Sequence, residues 1–303
     1  MARINPFKGI IPPVPTIVNE QGQLDEAGMK KLVDYLIEGG VHGLLMLGTS
    51  GEFSQMSFEQ RKQVAEFVVR YVDQRVPVMI GTGSPSTREA IELSRHAEQI
   101  GADGALVINP YYWPLAEDHL YAHYASIAEA VSFPVLVYNF PLLTGQDITP
   151  DFLYRLAMDY ENIMGVKETL DTAGHYREII VKIKQKRPEF AVFSAYDDHL
   201  LNTLALGGDG SIPGSANFAP EITVGLYEAF QAGDYDKALQ LHRRLALLME
   251  MYKLDVPFVN VLKEAIRLMG LEISTAVLPP ARPLSEEKRE QLKQMLQAAE
   301  LLN

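Results

Sequence analysis

The sequence predicts an α/β protein: a closed (β/α)8 barrel with a helical C-terminal appendage. Three observations carry that expectation. From residue 9 onward, short apolar runs rich in Val and Ile alternate with longer segments of helical period; the runs number eight; and after about residue 218 only helical patterns continue. Strands this apolar are buried on both faces, as parallel strands covered by helices are. Eight unbroken strand-then-helix units favour a closed barrel over an open doubly wound sheet.

Taken in order, the strand runs are residues 9–17, 43–48, 76–81, 104–109, 135–139, 163–167, 191–195 and 210–213. Between them lie segments with apolar residues three or four apart on one face: 25–38, 57–73, 86–100, 117–131, 150–160, 174–186 and 198–206. Gly39, Gly40, Gly101, Gly207 and Gly208 sit where helices should stop, and Pro77 and Pro134 open strands, where a missing N–H is tolerated. Four further helices are expected at 220–231, 235–251, 256–269 and 285–301, the last three beyond what a barrel needs. The expected division is therefore a catalytic barrel over residues 1–232 and a helical extension over 233–303.

Composition narrows the function. The 303 residues are 47% hydrophobic and 22% charged, enough to bury a large core. A formal charge of −12 without a basic run disfavours nucleic acid as a partner, although a local pocket of N–H groups can still hold an anionic substrate. The absence of cysteine excludes disulfides, thiolate metal sites and cysteine nucleophiles. Neither a signal peptide nor a membrane span is visible, so a cytoplasmic protein is expected.

In a barrel of this kind, reactive groups gather at the C-terminal ends of the strands. Strand two ends in Gly48-Thr49-Ser50-Gly51-Glu52, strand four in Asn109-Pro110-Tyr111-Tyr112, strand five in Tyr138-Asn139 and strand six in Lys167-Glu168. Of the thirteen lysines, Lys167 alone directly follows a buried-strand pattern, and the others read as solvated. A lysine must be neutral to attack a carbonyl, and at pH 7 only about 0.04% of a free lysine is. Burial disfavours the ammonium and raises that fraction by two to three orders of magnitude. The structural alternative for Lys167 is a residue that leaves the strand end to pair with Glu168.

Tyr138 closes the neighbouring strand and is placed to relay protons, or else is a buried tyrosine with a satisfied hydroxyl. Gly48, Thr49 and Ser50 offer hydroxyls and N–H groups suited to a carboxylate, although Ser and Thr also cap helices. His119 and His123 lack the glutamate of a zinc-binding helix motif and read as surface residues. Asp197, Asp198 and His199 read as helix caps and dipole partners in preference to a metal site. Met249, Met251 and Tyr252 read as helix packing.

Together, GTSGE at 48–52, INPYYW at 108–113, VYNFP at 137–141 and GVKE at 165–168 resemble the dihydrodipicolinate synthase / N-acetylneuraminate lyase family of class I pyruvate aldolases. The resemblance covers nearly the whole chain. It implies that Lys167 forms an imine with the keto acid, that Tyr138 shuttles protons with Thr49, and that Thr49 and Ser50 bind the pyruvate carboxylate. It also implies that Ile212 turns its backbone carbonyl to the keto acid and that Tyr112 is catalytic, reaching a neighbouring subunit's site and relaying the proton there with Thr49. A homotetramer built from dimers, with no metal and no organic cofactor, follows from the same resemblance.

One departure sets the branch. Where the synthases carry an arginine five residues after the tyrosine, this chain has Leu143, and loss of such a carboxylate clamp costs about 2–4 kcal/mol of binding. Gly214 stands where the sialic-acid lyases carry serine, and Ala195 lies near a glycine of the synthases. The segments IIPPVPTI, GEFSQ, YNFPLLTGQD and YDDHL are similar instead to the 2-keto-3-deoxygluconate and 2-keto-3-deoxypentonate aldolases. The expected reaction is reversible cleavage of a 2-keto-3-deoxy sugar acid to pyruvate and a hydroxyaldehyde. The rivals are dihydrodipicolinate synthase and a non-catalytic keto-acid sensor.

Overall fold

The computed structural model describes residues 5–302. Its strands are β1 (Gly9–Ile10), β2 (Leu44–Met46), β3 (Val78–Gly81), β4 (Gly104–Ile108), β5 (Val135–Asn139), β6 (Ile163–Glu168), β7 (Ala191–Ser194) and β8 (Gly210–Ser211). All neighbours are parallel, in the order β1-β8-β7-β6-β5-β4-β3-β2. The ring closes just beyond β1, where Val14 N–H donates to Leu45 O (2.8 Å) and Leu45 N–H to Pro12 O (3.0 Å). The architecture is the expected TIM barrel.

The helices are α1 (Glu26–Glu38), α2 (Phe58–Val72), α3 (Thr87–Gln99), α4 (Glu117–Ala130), α5 (Pro141–Thr144), α6 (Pro150–Asp159), α7 (Ala173–Ile179), α8 (Leu200–Ala205), α9 (Pro220–Gln231), α10 (Tyr235–Leu247), α11 (Val259–Leu268) and α12 (Glu286–Ala298). Their starts are chemically marked. Ser57 and Gln60 form a reciprocal capping box on α2, and Thr149 caps α6 ahead of Pro150.

Several features differ from the periodicity. The first run keeps only two strand residues, because Pro12, Pro13 and Pro15 cannot donate to a ladder. The helix expected over 174–186 passes into a π-helical turn at Ile180–Lys184. Pro257 delays the third C-terminal helix to Val259. The short α5, raised on Pro141 and closed by Gly145 at φ 73°, was not foreseen.

Two apolar layers hold the barrel. One fills its interior and runs on into the C-terminal helices through Leu245, Met251, Leu262, Leu292 and Leu296. The other lies between β4–β7 and α4, α6 and α7. Close approach at one strand end fixes the site's floor: a Cβ on Gly81 would stand 2.1 Å from Leu47 O, so only glycine lets β3 lie against the segment leading to Gly48.

Candidate active site

Side chains alternate along a strand, so consecutive residues of β6 face opposite sides. Lys167 turns into the barrel, 3% exposed, with Nζ 4.4 Å from the centroid of the Tyr138 ring. The two residues are paired across β5 and β6. Glu168 turns outward into the helix layer, where Oε1 accepts from Asn139 Nδ2 (2.9 Å) and Oε2 lies 2.9 Å from His175 Nδ1. The alternative in which Lys167 pairs with Glu168 is thereby overturned. Removal from water holds the Lys167 ammonium down to about 7, against the opposing attraction of Asp197.

Tyr138 is buried, and its Oη lies 3.1 Å from Thr49 Oγ1. Burial pushes the phenol up to about 12, with Thr49 and Thr169 acting in the other direction. Thr169 follows Lys167 by two residues and continues the ladder by donating its N–H to Asn139 O (2.9 Å), so it shares the inward face. Its Oγ1 is buried without a well-formed hydrogen bond.

After Gly48, the chain turns through a 3-10 turn at Thr49–Gly51, with Gly51 N–H donating to Gly48 O (2.9 Å). Thr16 Oγ1 donates to Gly51 O (2.8 Å) and fastens the turn from β1's extension. Ser50 is buried there. On the other side, Ile212 is buried behind β8 and donates its N–H to Ser194 O (2.7 Å). A cavity of about 290 Å³ opens at the mouth, lined by Thr49, Phe53, Tyr111, Leu143 and Phe258 among others. A larger groove of about 490 Å³, against the outer side of α2, contains none of the candidate residues.

Several expectations need correction. Asp197 does not cap its own turn. Its buried carboxylate accepts from Ser215 N–H (2.7 Å), and its charge acts on Lys167, so it belongs to the site wall. Tyr252 is more than packing, since its Oη points to Asp197 Oδ1 at 3.5 Å. A Cβ on Gly214 would stand 2.4 Å from that hydroxyl, which is why this wall has no room for serine. His123 is buried, its Nδ1 2.8 Å from Thr87 Oγ1, and is not a surface residue. Lys263, expected in solvent, is fully buried against Glu52.

Tyr112 is not brought to Lys167 within the chain. It is 87% exposed at φ 86°, stacked on Trp113. Among the described residues, no three His, Cys, Asp or Glu side chains cluster as a metal site would require, and no helix is long and apolar enough to cross a membrane.

The model of the dihydrodipicolinate synthetase family matches residues 6–299. The chain belongs to that family. Within it, the chain is 52% identical to the Escherichia coli K12 protein named "Putative 2-dehydro-3-deoxy-D-gluconate aldolase YagE", over 97% of this chain and 98% of that one. It is 50% identical to "Probable 2-dehydro-3-deoxy-D-pentonate aldolase YjhH" of the same organism, over 98% of each. The crystal structure of YagE in complex with pyruvate matches with a TM-score of 0.96 over 97% of this chain and 99% of that one. The Thermotoga maritima dihydrodipicolinate synthase matches at 0.93 with 34% identity, over 98% of this chain and 100% of that one. These family members share the barrel with the C-terminal helices, and the chain is a lyase of this family.

Proposed function

We propose that the protein reversibly cleaves a 2-keto-3-deoxy sugar acid, of gluconate or pentonate type, to pyruvate and a hydroxyaldehyde, through an imine on Lys167. The observation that carries this is a lysine sealed in the barrel, with its ammonium held down to about 7, against a tyrosine hydrogen-bonded to Thr49. Near neutral pH about half of such a lysine is the free amine, an enrichment of roughly a thousandfold over a solvated one.

Lys167 Nζ adds to the C2 carbonyl and water leaves, giving a protonated imine. The C3–C4 bonding pair then flows into that imine as an enamine while the C4 hydroxyl proton departs. Tyr138, held up to about 12, is a phenol at neutral pH and no free base. It relays instead: Oη accepts the C4 proton as its own proton passes to Thr49 Oγ1 across 3.1 Å and Thr49 hands its hydroxyl proton on to Tyr112 of a second copy, and the same relay run in reverse supplies the proton for C3. The enamine is protonated at C3, and hydrolysis releases pyruvate and returns the lysine. Thr49, Ser50 and the N–H groups after Gly48 hold the C1 carboxylate, with the Ile212 carbonyl facing the keto acid.

Leu143 favours a neutral aldehyde over a charged one, because the position lines the mouth with an aliphatic side chain and no cation. Asp197 and Thr169 supply a polar wall suited to sugar hydroxyls. Tyr112 we assign to the site of a second copy, in a homotetramer of paired dimers; its exposure beside Trp113 supports that reading. The reaction calls on no metal or organic cofactor.

Borohydride reduction in the presence of pyruvate, followed by peptide mapping, should leave a stable adduct on Lys167 and none in Lys167→Ala. An adduct on another lysine, or none, sinks the mechanism. Pyruvate release from 2-keto-3-deoxygluconate or 2-keto-3-deoxypentonate should far exceed condensation of pyruvate with aspartate semialdehyde, and the reverse ranking returns the chain to the synthases.

A further inference from the structure

We infer that Lys263 and Glu52 form a buried strut through which the C-terminal helices position the carboxylate-binding turn, and that its strength sets affinity for the keto acid's charge. The inference rests on the assignment of Thr49 and Ser50 to that carboxylate. Glu52 is the residue immediately after the turn and sits at φ 59°, a left-handed conformation that is uncommon and costly for a residue with a side chain. What enforces it is visible. Oε2 accepts from Lys263 Nζ at 2.5 Å, Oε1 accepts from Leu278 N–H at 2.6 Å, and Lys263 Nζ also donates to Ala276 O at 2.7 Å.

Both side chains are out of water, 0% exposed for Lys263 and 3% for Glu52. The pair thus joins the turn, α11 and the extended 276–278 segment. A buried ion pair is an expensive way to gain stability, since apolar residues of the same volume serve as well or better. What it supplies is direction: a fixed carboxylate with both oxygens occupied holds the Glu52 backbone, and Glu52 N–H, donating to Thr49 O at 3.2 Å, holds the turn. Thr16 anchors the same turn at Gly51 O, so its hydroxyls and N–H groups are braced from the barrel on one side and from the C-terminal helices on the other. The hydrogen bonds of Lys263 and the Glu52 carboxylate run to each other and to the 276–278 backbone, not to Lys167. They are positioning residues.

The test separates charge recognition from folding. Lys167 labelling under borohydride is titrated with pyruvate and with methyl pyruvate, which has the same ketone and no carboxylate. In the paired variant Glu52→Gln/Lys263→Met, which leaves no lone buried charge, half-maximal labelling should need about tenfold more pyruvate, while the methyl ester's requirement stays within about twofold. Glu52→Gln alone, which keeps an acceptor for Leu278 N–H, should move pyruvate in the same direction. Equal losses for acid and ester, or no loss for either, overturn the strut.

Ser50→Ala keeps the strut apart from the reading beneath it. If that change leaves pyruvate titration untouched, the carboxylate site itself is misassigned, and if the native protein is not labelled on Lys167 the imine is. For variants that do not fold, hydrogen exchange on the native protein decides. Pyruvate should raise protection in 48–56 and in 272–280 together, and protection confined to the first segment refutes the connection.

Discussion

At the scale of single residues, the site is governed by the competition around Lys167. Burial drives its ammonium down to about 7, and Asp197 opposes that shift from within the wall. Imine formation needs the free amine, so kcat/KM should fall as pH drops below about 7. Asp197→Asn removes the opposing charge, so the folded pKa of Lys167 should decrease further and the acid limb should move to lower pH by about one unit. A limb that stays in place or moves upward would show that Asp197 does not face the lysine electrostatically. Tyr138→Phe should lower kcat by a factor of roughly 10²–10⁴ while leaving Lys167 open to labelling, because the relay is lost and the nucleophile is kept. Lys167 was legible because its surroundings are local: an apolar strand runs straight into it. Asp197 was not. Its carboxylate finds a partner 18 residues away, and a sequence cannot distinguish an acid that caps its own turn from one that caps another.

At the scale of elements, β6 separates two chemistries by one residue. Lys167 faces the barrel, while Glu168 enters an outer cluster in which Asn139 Nδ2 bonds Glu168 and Asp147, and His175 Nε2 stands 3.4 Å from Asp147 Oδ2. Burial opposes a charge on His175, but its contacts with Asp147 and Glu168 outweigh that and lift it to about 10. The folded value lies above the free imidazole's value of about 6.5, so the stabilisation is complete below about 6.5 and is lost as pH rises toward 10. Native protein should therefore lose melting temperature between pH 7 and 10 more steeply than His175→Gln; parallel slopes would mean that the histidine is not charged in the fold. Strand and helix positions were readable from period and from Gly and Pro punctuation. This cluster was not, because its members come from β5, the loop after α5, β6 and α7, and their convergence depends on register. The π-helical turn after α7 shows the same limit, since a helical period does not reveal an extra residue in one turn.

At the scale of the whole molecule, the extension after residue 232 reads from sequence as something added to a finished barrel. The structure joins it to the site at two points: Tyr252 reaches Asp197, and Lys263 reaches Glu52 across 211 residues of chain. Its apolar residues share one continuous layer with the barrel, so that Leu245, Leu248, Met251, Leu262 and Ile266 are fully buried alongside Ile10, Leu45 and Phe218. Removing residues 233–303 would uncover the faces that α10 and α11 bury and strip the Glu52 carboxylate of both Lys263 and the Leu278 N–H. Exposing that continuous apolar layer costs roughly 25 cal/mol for each Å² uncovered, which over several helix faces exceeds the stability a domain has to spare. A fragment of residues 1–232 should accordingly fail to form a soluble barrel and give no Lys167 adduct with pyruvate. By the same reasoning, calorimetry of the full chain should record one cooperative transition, with no separate melting of the helical part. Two resolved transitions, or a fragment that folds and is labelled, would show that the barrel stands alone and that its C-terminal helices are the appendage the sequence suggests.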